Sequence, residues 1–102
     1  MNKKLCIMLS TAPDNKNLDT ALGIIYAAIK SNISVYLYLV DEGAACINDN
    51  RVIELSKIGL RLYVCAYGAQ KKRIEPSDIA SFGGLSNLSE LIKVCDRFIA
   101  FG

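Results

Sequence analysis

The stretch Ser34-Val35-Tyr36-Leu37-Tyr38-Leu39-Val40 decides the fold. Read as a strand, it sends Val35, Leu37 and Leu39 to one face and Tyr36, Tyr38 and Val40 to the other. A strand wetted on one side alternates apolar with polar residues; this one is apolar on both. It therefore needs cover on both faces, the pattern of a parallel strand between two layers of helices. Asp41-Glu42-Gly43 ends it.

Toward the amino end, residues 17–31 carry Leu18, Ala21, Leu22, Ile25 and Ile29 at helical spacing, with Asn15 or Asn17 available as the cap. Ile24, Ala27 and Ala28 lie on the opposite side, so this helix is apolar nearly all round. Either a subunit interface provides its second cover or an Ala-rich face stays partly open. Residues 4–10 form a first strand, followed by the loop Ser10-Thr11-Ala12-Pro13-Asp14-Asn15.

Toward the carboxyl end, Ala44 to Asn50 reads as a helical turn and loop, a surface segment. Residues 51–58 form a helix with Val52, Ile53, Leu55 and Ile58 inward, stopped by Gly59. Residues 60–65, Leu-Arg-Leu-Tyr-Val-Cys, make a third strand, and helix-compatible residues 66–73 follow at once. After the break Glu75-Pro76-Ser77-Asp78 come a short fourth strand over 79–82 and a Gly83-Gly84 turn. Ser86 or Asn87 caps a helix over 87–95 with Leu88, Leu91 and Ile92 inward, and a last strand covers 98–101. This alternation predicts an α/β fold, a mostly parallel five-stranded sheet between two helical layers, as one domain over residues 1–102.

Composition narrows the chemistry. Apolar residues make up 52% and charged residues 22% of the 102, which suits a packed globule. A net charge of +2, from 12 basic and 10 acidic residues, points to neither a nucleic-acid nor a membrane-surface partner. The absence of His excludes Ser-His-Asp triads, Cys-His pairs and imidazole acid–base catalysis. No apolar run reaches the roughly 18–20 residues of a membrane span. The start, Met1-Asn2-Lys3-Lys4 before Leu5-Cys6-Ile7-Met8-Leu9, imitates a signal peptide, but its apolar run of five residues is short of the roughly 7–15 required. A cytoplasmic location is expected, and there thiols stay reduced.

The four cysteines, at 6, 46, 65 and 95, form no C-x-x-C pair, so neither a thioredoxin motif nor the usual zinc spacing is present, and no metal site is expected. Most buried cysteines act as small hydrophobes. Cys6 falls mid-strand, Cys46 in the surface segment, and Cys95 at a helix end where the dipole disfavours ionisation. Cys65 differs. Sites in open α/β sheets form beyond the carboxyl ends of the strands. Ser10, Thr11, Asp41, Glu42 and Cys65 lie there, and Cys65 is the one cysteine among them. The helix that follows surrounds its sulfur with free backbone N–H groups, those of Ala66, Tyr67 and Gly68, and with the positive helix end. That setting favours an anionic sulfur, thiolate or persulfide. Gly68 leaves space for close approach of another group. Lys71, Lys72 and Arg73 follow about two helical turns on, too far for contact: either they add a positive field at Cys65 or they only complement the dipole of their own helix end.

Familiar sites can be set aside. The phosphatase spacing C-x5-R places Lys71 where the Arg belongs, and Arg73 falls two residues late. A receiver domain needs Asp where Cys65 stands. The loop after the first strand has hydroxyls but no Gly for a flavodoxin-type phosphate loop. No Walker loop or G-x-G-x-x-G exists, and no cofactor is expected.

Leu62-Tyr63-Val64-Cys65-Ala66-Tyr67-Gly68-Ala69-Gln70-Lys71-Lys72-Arg73 resembles the active-site segment of DsrE/DsrF-like proteins, which include the TusD-type sulfur-relay subunits. In that family a Cys ends a strand and is followed by small residues and a basic cluster. The tail from Gly83 to Leu91 and from Cys95 to Phe101 is similar to the family's closing helix and strand. The resemblance implies a flavodoxin-like three-layer fold, homo- or hetero-oligomers (often trimers or hexamers), and a Cys that takes sulfur as a persulfide and passes it to a partner. Only Cys65 matches that Cys. The expected function is a sulfur carrier, a sulfurtransferase-type protein with donor and acceptor proteins as partners. Two alternatives are a non-catalytic oligomeric module that binds an anion or a partner loop, and a phosphatase-like anion binder without its Arg.

Overall fold

The strand whose pattern demands cover on both faces is sealed in the structure: Val35, Leu37, Tyr38 and Leu39 of β2 (Ser34–Leu39) are essentially inaccessible to solvent. The computed structural model describes residues 3–102, apart from the side chain of Leu85. Met1 and Asn2, which open the basic start, lie outside the described residues. The other strands are β1 (Lys4–Leu9), β3 (Arg61–Cys65), β4 (Ala80–Gly83) and β5 (Arg97–Phe101). The helices are α1 (Lys16–Lys30), α2 (Asn50–Lys57), α3 (Ala66–Lys71) and α4 (Leu85–Val94), with a 3₁₀ segment, Asp41–Asn48, between β2 and α2. The sheet order is β4-β3-β2-β1-β5 and every pairing is parallel, so the sheet is wholly parallel. Parallel neighbours require crossovers, and the helices supply them.

Strand alternation divides the core in two. Ile7, Leu9, Val35, Leu37, Leu39, Leu62 and Val64 form a broad apolar face beneath α1, α2, the 3₁₀ segment and Ala69 of α3. Cys6, Tyr36 and Tyr38 point the other way and meet Leu91 of α4, with Val40, Tyr63, Cys65, Leu88 and Cys95 packed around them. One helix covers this second face, so it is the smaller core.

Local chemistry sets the helix ends. Asn15 caps α1, its side chain accepting from the Asn17 N–H at 2.8 Å; Asn17 itself lies inside the helix. Asp49 caps α2 in the same way through the Arg51 N–H at 2.9 Å. Gly59, at φ 127°, takes the left-handed turn that ends α2, as the sequence predicted. Ala28 and Ile24 of α1 pack on the core, while Gly23, Tyr26 and Ala27 stay exposed, so α1 is covered over only part of its circumference.

Four expectations need correction. Ile58 is not inward: α2 ends at Lys57, and the turn at Gly59 leaves Ile58 half-exposed at 52%. Ile92 is likewise exposed, because α4 packs through Leu91 and Leu88 on one side only. Neither Ser86 nor Asn87 caps α4. β4 runs on to Gly83, and α4 starts directly from Gly84, which has no side chain to cap with. The segment around Cys46 is not surface: Ala44, Cys46 and Ile47 are buried in the larger core. Gly43 makes this possible by lying against the Leu9 carbonyl, where no Cβ fits. Among the described residues no helix is long and apolar enough to cross a membrane.

Candidate functional site

The crossovers create one place where neighbouring strands send their chains to opposite faces. α1, α2 and α3 pack on the first face after β1, β2 and β3, while α4 packs on the second face after β4. The chains leaving β3 and β4 therefore part, and in open α/β sheets the crevice at such a divergence is the preferred binding position. Cys65 ends β3, Gly83 ends β4, and the two are register partners.

Cys65 stands at the cap position of α3, with extended backbone at φ −62° and ψ 120°. It is half-buried, and its side chain packs with Tyr63 against the cluster containing Tyr38 and Leu91. The sulfur thus sits on the second face, beside the start of α4 as well as directly before α3. The first-turn N–H groups of a helix have no acceptor within it. Ala66, Tyr67 and Gly68 form the first turn of α3; Ala66 and Tyr67 are exposed, Gly68 buried. The space Gly68 leaves is not open to another group. A Cβ there would stand 3.2 Å from the Asp41 backbone nitrogen, so the chain's own 3₁₀ segment fills it.

Lys71 and Lys72 of the basic cluster line a cleft of their own. Lys72 pairs with Glu42, and Lys71 Nζ lies 5.4 Å from the centre of the Tyr67 ring. With Asp41 and Gly68 these residues line a cleft of about 250 Å³ that Cys65 does not line. Ser10 is structural: its hydroxyl donates to the Phe101 carbonyl at 3.2 Å. The Thr11 carbonyl accepts from the Cys46 thiol at 3.6 Å. Among the described residues no group of three or more His, Cys, Asp or Glu side chains could hold a metal ion.

Two features escaped the sequence reading. The Tyr38 hydroxyl donates to the Gly84 carbonyl at 2.8 Å and lies 3.5 Å from that of Gly83. Burial, and secondarily the charge of the neighbouring Cys65, pushes this hydroxyl's pKa up and keeps it protonated as a donor. The second feature is the uncapped start of α4 opposite Cys65. The available signals were that Tyr38 and Cys65 fall on the same face by alternation and that Gly83-Gly84 precedes a helix without a cap residue.

The remaining thiols are set apart by their surroundings. Burial, reinforced by the nearby Cys95, pushes Cys6 up to about 12. Burial, then the Asp49 charge, pushes Cys46 up to about 11. Cys95 is also raised, chiefly by burial. These shifts dictate a pH response. Above the ordinary thiol value of 9.0 the unfolded chain loses these protons first, so the folded state binds more protons. Stability is therefore expected to hold up to about pH 9 and to fall through pH 11–12. Thermal melts across this range check the sign, and alanine at Cys46 should flatten the decline.

Comparisons with known proteins agree with this fold. The model of the DsrE/DsrF-like family matches residues 3–101. Among curated proteins no match is found. The crystal structure of the ychN protein from E. coli superposes with a TM-score of 0.80 at 16% identity, over 99% of this chain and 100% of that one. A conserved protein of unknown function, BT1422 from Bacteroides thetaiotaomicron, gives 0.79 at 12% identity, over 97% and 95%. MTH1491 from Methanobacterium thermoautotrophicum, also of unknown function, gives 0.78 at 8% identity, over 96% and 99%. At such identities the structures speak for the shared fold. The family match covers nearly every residue described, from β1 through the cysteine-bearing β3 to β5, and the chain belongs to the DsrE/DsrF-like family.

Proposed function

We propose that this protein is a sulfur carrier that holds sulfur on Cys65 as a persulfide and passes it to a partner thiol. The observation that carries the reading is the position of Cys65: a half-buried thiol at the divergence of β3 and β4, next to the amino ends of two helices. Family membership suggests sulfur relay in the same direction. The Cys65 thiolate attacks the outer sulfur of a donor persulfide, R–S–S–H. The donor S–S bond breaks, the donor leaves as the thiolate R–S⁻, and Cys65 carries –S–S–H, which ionises to –S–S⁻. The stored –S–S⁻ takes its proton back from water; an acceptor thiolate then attacks the outer sulfur of the –S–S–H form, the S–S bond breaks, the acceptor carries –S–S–H, and the Cys65 thiolate is released. Neither step has a net oxidant or needs a general base, since thiolate exchange is direct. The Cys65 side chain makes no cap hydrogen bond to α3; in this reading the first-turn N–H groups of Ala66, Tyr67 and Gly68 steady the added outer sulfur of the persulfide.

The partners in this reading are a donor protein and an acceptor protein in a reducing, cytoplasmic setting. A homo-oligomer belongs to the same reading, and the exposed apolar residues Ile92, Val94 and Phe98 support it as surface for a second copy to cover. Incubation with a small persulfide donor is expected to add one sulfur atom to the intact mass. The Cys65→Ser variant should gain none; equal gain by the variant would refute the assignment.

A further inference from the structure

We infer that Tyr38 is a positioning residue of this site: its hydroxyl holds the Gly83-Gly84 crossover as a fixed wall opposite the Cys65 sulfur. The inference rests on the reading of Cys65 as a sulfur acceptor. Tyr38 is sealed near the carboxyl end of the central strand, with its ring on the same face as Cys65. A phenylalanine would fill the same space without the need to satisfy a buried hydroxyl. The hydroxyl instead spans to the Gly84 carbonyl at 2.8 Å, 46 residues away in sequence. Gly84 is where such a tie matters. It is the cap residue of α4 but has no side chain to fix the helix start; its carbonyl, which also accepts the Asn87 N–H at 3.1 Å, is instead held from the sheet by the Tyr38 hydroxyl.

The other side of the wall is equally constrained. Gly83 pairs with Cys65 across the sheet, and the end of the Asn87 side chain lies directly over Gly83. The crossover is thus tied to the sheet by the Tyr38 hydroxyl and by the pairing of Gly83 with Cys65. An outer sulfur on Cys65 adds about 2 Å of reach. The Gly83-Gly84 crossover is the neighbouring backbone across the sheet from Cys65, so in this reading the seating of a donor persulfide depends on where the crossover stands. A small alkylating reagent needs only the exposed edge of the sulfur and does not depend on the wall.

The Tyr38→Phe variant tests this, because it deletes one oxygen and keeps the packing. Three rates are compared with wild type: sulfur loading from a small persulfide donor, alkylation by iodoacetamide at each cysteine, and amide hydrogen exchange over residues 84–88. Loading is expected to fall about tenfold, exchange over 84–88 to rise about tenfold, and Cys65 alkylation to stay within about twofold. Val52→Ala, which opens a cavity under α2 on the opposite face, controls for stability. It should lower the melting temperature and leave the ratio of loading to alkylation unchanged. Loading at the wild-type rate in Tyr38→Phe would overturn the inference, as would equal losses in loading and alkylation. If wild-type protein takes up no sulfur at Cys65, the carrier reading itself has failed, and the Tyr38 role falls with it.

Discussion

Iodoacetamide at pH 7 is expected to modify the folded protein once, at Cys65, and to leave the other three cysteines intact over the same period. The difference follows from burial and charge. A thiol held at about 12, as Cys6 is, exposes its reactive thiolate in roughly one molecule in 100,000 at pH 7, and one at about 11, as Cys46 is, in roughly one in 10,000. Both sulfurs are also sealed from the reagent. Cys95 is half-buried but raised as well, and it sits at the carboxyl end of α4, where the dipole opposes a negative charge. Cys65 stands at the opposite kind of helix end. Peptide mapping after timed quenching reads the order directly. Modification of Cys95 before Cys65 would remove the electrostatic basis of the site.

A methyl group at position 43 is expected to be far more damaging than its size suggests. Gly43→Ala would drive a Cβ into the Leu9 carbonyl. That carbonyl already accepts the Val40 N–H at 3.0 Å, and the Val40 carbonyl accepts the Gly43 N–H at 2.8 Å. The collision is thus with backbone fixed in the sheet, and the 3₁₀ segment must lift instead. It would take Ala44, Cys46 and Ile47 out of the core and withdraw the Asp41 backbone from Gly68 of α3. The expected cost is about 3 kcal/mol, or about 12–24 °C in melting temperature for a domain of this size. Cys46 should then become open to alkylation. Gly23→Ala is the contrast: its Cβ meets nothing within 4 Å on the exposed side of α1. It should stabilise by about 0.5–1 kcal/mol through helix propensity alone. A melting temperature for Gly43→Ala within a few degrees of wild type would show that the segment is not docked as described.

What could be read from the chain was what local pattern encodes. The apolar faces of residues 34–40 demanded a parallel strand covered on both sides, and a strand ending at Cys65 with a helix directly behind it followed from alternation. Two things resisted for physical reasons. Ala44-Ala45-Cys46 has neither a two-residue nor a 3.6-residue rhythm, because a 3₁₀ segment buries its residues by docking rather than by amphipathic spacing. The Tyr38–Gly84 bond joins residues 46 apart, and no local pattern announces such a contact. Ile58 and Ile92 were misplaced for a third reason: helical periodicity shows a face, but not how much of that face the opposing sheet covers.

The claim on which the account depends is that the Cys65 sulfur accepts sulfur. The most direct measurement is tandem mass spectrometry of wild-type protein loaded from a persulfide donor, with alkylation to trap the product before digestion. The account predicts one added sulfur atom on the peptide that contains Cys65, and its disappearance when an acceptor thiol is supplied. Sulfur recovered on the Cys95 peptide, or an added sulfur that no acceptor removes, would contradict it.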